Sequence, residues 1–147
     1  MAEQPSSGPA RVEEVVSPGG LRAYLVTERS VPFLTLELCF RAGAAFDPAD
    51  RAGLANMCAS LLDEGAGPYD SQAFRRELED NAIRLSCDAD QDRISVRLKT
   101  LTATREHAFE LLRLALTEPR FDAEPVERIR AQLQAELRRR ASDPNYV

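Results

Sequence analysis

The residues able to do chemistry are few, and their numbers exclude more than they allow. The chain of 147 residues has a single histidine, His107. A zinc site built on two or three histidines is therefore impossible within the chain. A Ser-His-Asp or Cys-His arrangement would have to run through His107 or take an imidazole from another chain. His107 falls in the first turns of a helical pattern and reads as a surface residue. The three cysteines, Cys39, Cys58 and Cys87, are odd in number and contain no Cys-x-x-Cys, so they read as buried thiols in strands and a helix. Asp63 and Glu64 stand just before Gly65, at the end of a helical pattern where the dipole disfavours negative charge. They read as a solvated helix end or a capping contact to the next loop. Asp88, Asp90 and Asp92 alternate around a hairpin turn but lack the Gly and distal Glu of a calcium loop, and read as solvated turn residues. One further group shares a helical face: Asn56, Ala59, Ser60 and Asp63.

The bulk of the chain bounds these readings. With 44% apolar and 29% charged residues it can bury one core and is not a disordered chain. A net charge of −5, with Lys99 the only lysine, leaves no electrostatic footprint for nucleic acid or an anionic membrane. The longest uncharged run, Ala52 to Leu62, has 11 residues, against the roughly 20 a membrane-spanning helix needs. Residues 1–11 are small, polar and Pro-rich. They are expected to form a flexible N-terminal arm with no apolar stretch of the signal-peptide kind, leaving 12–147 as one domain.

The elements that must position these side chains follow from periodicity. Val12 to Val16, the turn Ser17-Pro18-Gly19-Gly20 and Leu21 to Thr27 read as a hairpin, with Leu21, Ala23 and Leu25 alternating with Arg22, Tyr24 and Val26. Leu34, Leu36, Leu38 and Phe40 alternate with polar neighbours, which marks a strand with one face in the core. A first helix is predicted from about Asp50, its N-cap, to Glu64, with Gly65 as stop and an apolar stripe of Leu54, Met57, Cys58, Leu61 and Leu62. A second runs from Asp70 or Ser71 to about Asp80, with Phe74 and Leu78 inward and Asn81 in a left-handed position. A hairpin follows, with Ile83, Leu85 and Cys87 on its first strand and Ile94, Val96 and Leu98 on its second. A third helix, capped by Thr102 or Thr104, buries Ala108, Phe109, Leu111, Leu112, Ala115 and Leu116. The fourth, from about Glu124, turns Val126, Ile129, Leu133 and Leu137 inward. It ends in Arg138-Arg139-Arg140, which suit the negative end of the helix dipole. The order predicts an α+β fold, an antiparallel-rich mixed sheet covered by helices.

One ordered set of segments resembles a known family. A strand ending Phe40-Arg41-Ala42-Gly43 leads through a Pro-containing loop to Asp50-Arg51-Ala52-Gly53-Leu54-Ala55. The helix there ends in Leu61-Leu62-Asp63-Glu64-Gly65; a short helix, a hairpin and Glu118-Pro119-Arg120-Phe121 follow, and a charged helix comes last. The set resembles the pitrilysin (insulinase) family of zinc metallopeptidases, to which the mitochondrial processing peptidases and their bacterial relatives belong. The resemblance implies a metallopeptidase-like two-layer domain. It also implies an inverted motif, His-x-x-Glu-His, on the helix opened by Gly-Leu-Ala. There two histidines four residues apart hold zinc and the Glu takes a proton from the bound water. Laid on this sequence, the first His falls on Asn56, the Glu on Ala59 and the second His on Ser60. In the last helix Glu127-Arg128-Ile129-Arg130 matches the family's Glu-Arg-x-Arg, which puts the final ligand at Ile129, with Glu136 at a further acidic position.

With all four positions degenerate, the resemblance implies a non-catalytic member that binds no zinc or other cofactor of its own. Its expected partners are a catalytically active pitrilysin-family subunit, which carries the zinc, and a peptide substrate held between the halves. Nucleic acid and a membrane span are not expected. The alternative is a scaffolding subunit without a role in proteolysis. The family's domain continues past the charged helix, so the sequence reads as an N-terminal fragment with an exposed apolar surface, open to a homodimer of the fragment. The residues leave the compartment open, with the periplasm favoured over the cytoplasm.

Overall fold

Turn chemistry and strand alternation set the first element. In the computed structural model, which describes residues 11–142, β1 (Val12–Val16) and β2 (Arg22–Val26) pair antiparallel from Val12↔Val26 to Val16↔Arg22. Ser17 closes the turn: Gly20 N donates to its carbonyl at 2.9 Å and Leu21 N to its hydroxyl at 3.0 Å. The alternation expected to bury Leu21 and Leu25 does not do so, because a two-stranded ribbon has no core of its own; Leu21 is 78% exposed. Among the described residues this hairpin falls in one compact unit, which ends at Pro32, and everything from Phe33 onward in a second. Residues 1–10, the greater part of the expected arm, and 143–147, the segment on which the fragment reading rests, lie outside the described residues.

The second unit is built on a three-stranded antiparallel sheet in the order β3 (Phe33–Phe40), β5 (Ile94–Leu101), β4 (Arg84–Ala89). The period of two is strict. Val96, Leu98 and Thr100 of β5 are buried, while Arg97, Lys99 and Leu101 are exposed. Leu34, Leu36 and Leu38 on β3 are half-buried, and Phe40, expected on the same core face, is exposed near the strand end at the sheet edge. Cys39 has the opposite parity and is exposed rather than buried, whereas Cys58 and Cys87 are half-buried as free thiols. Helices α2 (Ser71–Asp80) and α3 (Arg105–Thr117) pack on β4 and β5, with Phe74, Ala108, Leu111 and Ala115 filling the core against Val96 and Leu98. Phe109, expected inside, is exposed. It lies about 100° around the helix from Ala108, and Leu114 takes a buried position instead. Thr104 is the N-cap residue, but its hydroxyl caps no backbone N–H; it bonds Thr100 and the Asn81 carbonyl.

The first helix differs most from its prediction. It is one and a half turns, α1 (Leu54–Ala59), not a helix from Asp50. Asp50 caps nothing. Asp47 does, its carboxylate accepting from Gly53 N at 2.7 Å and Ala55 N at 2.9 Å, while Gly53 sits at φ 95° and breaks the chain direction before the helix. Beyond Ala59 the bonds shorten to three-residue turns, Leu61 N to the Cys58 carbonyl and Leu62 N to that of Ala59, and Gly65 at φ 122° ends the run. The buried face is set by Ala55, Ala59 and Leu62, so Leu54 of the expected stripe is exposed. Gly43, which closes the Arg-Ala-Gly segment, touches the β4–β5 turn. A Cβ there would lie 2.5 Å from the backbone of Gln91, Asp92 and Arg93, so only glycine fits.

Two helix ends follow from single side chains. Asp70 caps α2 by accepting from Ala73 N at 2.8 Å. At the other end Asn81 keeps a negative φ and uses its amide to donate to the Glu77 carbonyl at 2.9 Å, so Ala82, at φ 53°, takes the left-handed position instead. The last helix, α4 (Ala123–Ala141), buries Pro125 and Ile129 and packs against α1; Leu137, expected inward, is exposed near its far end. Among the described residues no helix is long and apolar enough to cross a membrane.

Candidate functional site at the α1–α4 junction

Helical geometry places Asn56 and Ser60 one turn apart, joined by the bond from Ser60 N to the Asn56 carbonyl at 3.0 Å. Asn56 is exposed, Ser60 half-buried and the α1 C-cap, and Ala59 between them is 1% exposed. Ile129 is 8% exposed on α4, the helix that packs on α1. These side chains do not fit a zinc ion. Asn56 and Ser60 offer neutral oxygens in place of imidazole, Ala59 has no proton acceptor, and Ile129 offers only hydrocarbon. Among the described residues no three His, Cys, Asp or Glu side chains are grouped to hold a metal.

What the junction does hold is a buried carboxylate. Glu64, just past α1, is 8% exposed rather than solvated, and its Oε2 accepts from Arg128 Nη2 on α4 at 2.5 Å and from Ser71 Oγ at the start of α2 at 2.6 Å. Arg75 Nη2 stands 3.6 Å away, and Arg128 also donates from Nε to Glu124 at 3.3 Å. Burial alone would raise the Glu64 pKa. The bonds from Arg128 and Ser71 and the two arginine charges outweigh it and hold the carboxyl below its usual range. Its neighbour Asp63 has no such bond to an arginine, and burial pushes its carboxyl up, with a smaller push from the Glu64 charge. Cys87 on β4 is pushed up to about 12, first by burial and then by the charges of Asp63 and Asp88. The junction thus holds a structural ion pair, and the Cys87 thiol nearby on β4 stays protonated at neutral pH.

The other candidates are also accounted for. His107 is not a free surface imidazole: its Nε2 lies 2.9 Å from Glu77 Oε2 and ties α3 to α2. In the aspartate trio only Asp90 organises anything. It accepts from Asp92 N at 2.8 Å and Arg93 N at 2.9 Å, shaping the β4–β5 turn. Sequence reading missed the Glu64–Arg128 pair, because its partners are 64 positions apart and only the crossing of α4 over α1 joins them. A cleft of about 550 Å³ opens beside Glu64 along β4, lined among others by Arg75, Arg84, Arg97 and Lys99.

An antiparallel sheet with helices on one face, and a short helix that opens on Gly-Leu-Ala against a long charged one, make a mixed α+β domain. The profile of the Insulinase (Peptidase family M16) family matches residues 23–147, and the chain belongs to that family. It is 28% identical over 117 residues to a protein of Helicobacter pylori (strain ATCC 700392 / 26695) described as "Non-peptidase homolog YmxG", covering 80% of this chain and 27% of that one. Among solved structures it is similar to a "peptidase M16 inactive domain from Pseudomonas fluorescens", with a TM-score of 0.80 and 26% identity over 92% of this chain and 33% of that one. The fold is shared too with "a protease from Helicobacter pylori", TM-score 0.75 at 16% identity, over 90% of this chain and 32% of that one. The chain thus spans about a quarter to a third of the length of these relatives.

Proposed function

We propose that the chain is the degenerate, non-catalytic partner in a pitrilysin-family peptidase: it binds no zinc, pairs with a subunit that does, and lends part of the wall of a peptide-binding chamber. The observation that carries this reading is the set Asn56 and Ala59 on α1, Ser60 at its C-cap and Ile129 on α4, in a chain whose single histidine is committed to Glu77. The family's chemistry needs two imidazoles four residues apart and a carboxylate between them. The descriptions of a curated relative as a non-peptidase homologue and of a solved relative as an inactive domain support it. Zinc belongs to the active subunit in this reading. Sedimentation of the full-length protein with a family member that bears His-x-x-Glu-His tests the pairing: one complex is expected, and two independently sedimenting species would leave only the scaffolding reading.

A further inference from the structure

We infer that the outer face of the three-stranded sheet, at the end bearing Phe33 and Leu101, docks an acidic peptide segment that also carries apolar side chains. Helices fill the inner face of this sheet; among the described residues the side chains of the outer face are all wholly or partly exposed. Its composition is unusual for a merely solvated face. Phe33 and Leu101 are partners in the ladder and remain 44% and 45% exposed, an apolar rung open to water. The next rung brings Arg84 directly opposite Lys99. Like charges opposed across a ladder destabilise the sheet, and nothing on this rung offsets them. Arg84 has no carboxylate within ion-pair distance among the described residues, and the Lys99 ammonium lies 4.6 Å above the Phe33 ring rather than on an acid. One rung further, Arg97 shows the ordinary remedy, Glu37 at 3.0 Å.

The cations also face a concavity. Arg84, Arg97 and Lys99 line the cleft along β4, whose acids (Asp63, Glu64 and Glu79) belong to its helical side, with Glu64 already held by Arg128. A segment laid on the sheet side meets an aromatic, an aliphatic and two cations with no acid partner among the described residues, within two rungs. A carboxylate beside an apolar side chain complements that pattern, and a basic segment is repelled by it. The inference goes beyond the pairing proposed above and rests only on the reading that the chain handles peptides.

The test is a titration of the full chain alone with a fluorescein-labelled peptide of Glu, Leu and Phe and with its Gln-for-Glu and Lys-for-Glu counterparts. No active subunit is present, so the outcome does not depend on whether the pairing exists. The acidic peptide is expected to bind, weakening as salt rises, and the Gln peptide to bind at least about tenfold more weakly. Arg84→Glu supplies a readout that misfolding cannot imitate, because it sets an acid opposite Lys99: thermal stability should rise while the acidic peptide is lost. Lys99→Gln should weaken binding in the same direction. Equal affinity for the three peptides, or undiminished binding to Arg84→Glu, would overturn the inference. So would self-association of the chain that Arg84→Glu abolishes, since the face would then belong to a second copy.

Discussion

Arg128 on α4 donates its Nη2 to Oε2 of Glu64 at 2.5 Å, across 64 positions of sequence and at the point where α4 packs on α1. The same oxygen holds Ser71 at the start of α2, so one buried carboxylate joins three helical segments. Breaking a buried pair by removing one partner leaves an uncompensated charge.

Arg128→Ala is therefore expected to destabilise the chain by about 1–3 kcal/mol. That is below the roughly 3–5 kcal/mol of a fully buried pair, because Arg128 is a third exposed and Arg75 remains near. Glu64→Gln should cost less, since it removes the charge together with the need to match it. Urea midpoints at unchanged slope measure both, and an Arg128→Ala midpoint equal to wild type would show the pair to be idle.

The two neighbouring carboxylates should give opposite acid responses. The folded-state pKa of Glu64 lies below its usual 4.5, so its contribution is present above that pH and is lost as the pH falls through the depressed value. The folded-state pKa of Asp63 lies above its usual 3.8, so the folded chain gains stability on acidification and pays for the buried charge at neutral pH. Asp63→Asn should accordingly be more stable than wild type at neutral pH and lose stability more steeply on acidification. Thermal midpoints followed from neutral pH downward check this, and parallel curves for the two proteins would refute it.

Thiol labelling should separate Cys39 from Cys87. Cys39 is exposed on the outer sheet face and should react first. Cys87, raised to about 12, has almost no thiolate at neutral pH and should react only after unfolding. Peptide mapping after a short maleimide pulse reads the order, and early labelling of Cys87 would contradict the packing of α1 on β4.

Zinc affinity should be recoverable by few changes. Asn56→His and Ser60→His create an i, i+4 pair on α1, and Ile129→Glu adds an acid on the helix that packs there. This variant is expected to bind zinc and wild type to bind none. Adding Ala59→Glu should cost stability, because Ala59 is 1% exposed. Leaving Ile129 in place asks whether Glu136, already paired with Arg140, can serve as the acid instead. A folded variant with no zinc by metal analysis in either form would count against the assignment of these positions.

The parts legible in the sequence were those set by local rules. Alternation gave the three strands of the core sheet, Asp70 announced α2, and Gly65 marked the stop before it. The start of α1 was misread because Asp50 looks like a cap, whereas the capping carboxylate, Asp47, reaches its N–H groups from six and eight positions away. Phe109 and Leu114 exchanged roles because a helix face is chosen by what it packs on, which a single periodicity leaves free by about one residue. Of the candidate site, the single histidine by itself excludes a zinc site built on two histidines of this chain. The buried Glu64 was not legible, since its partner Arg128 becomes a neighbour only when α4 folds back on α1.

If the proposed pairing holds, this protein contributes to proteolysis without performing it. Peptide hydrolysis by a zinc-bearing family member, measured with and without the full-length protein and against the full-length protein alone, tests it most directly. No hydrolysis is expected from this protein alone even with added zinc, and more from the mixture than from the zinc-bearing subunit alone. Zinc-dependent hydrolysis by this protein alone, or a mixture no more active than that subunit, would contradict it.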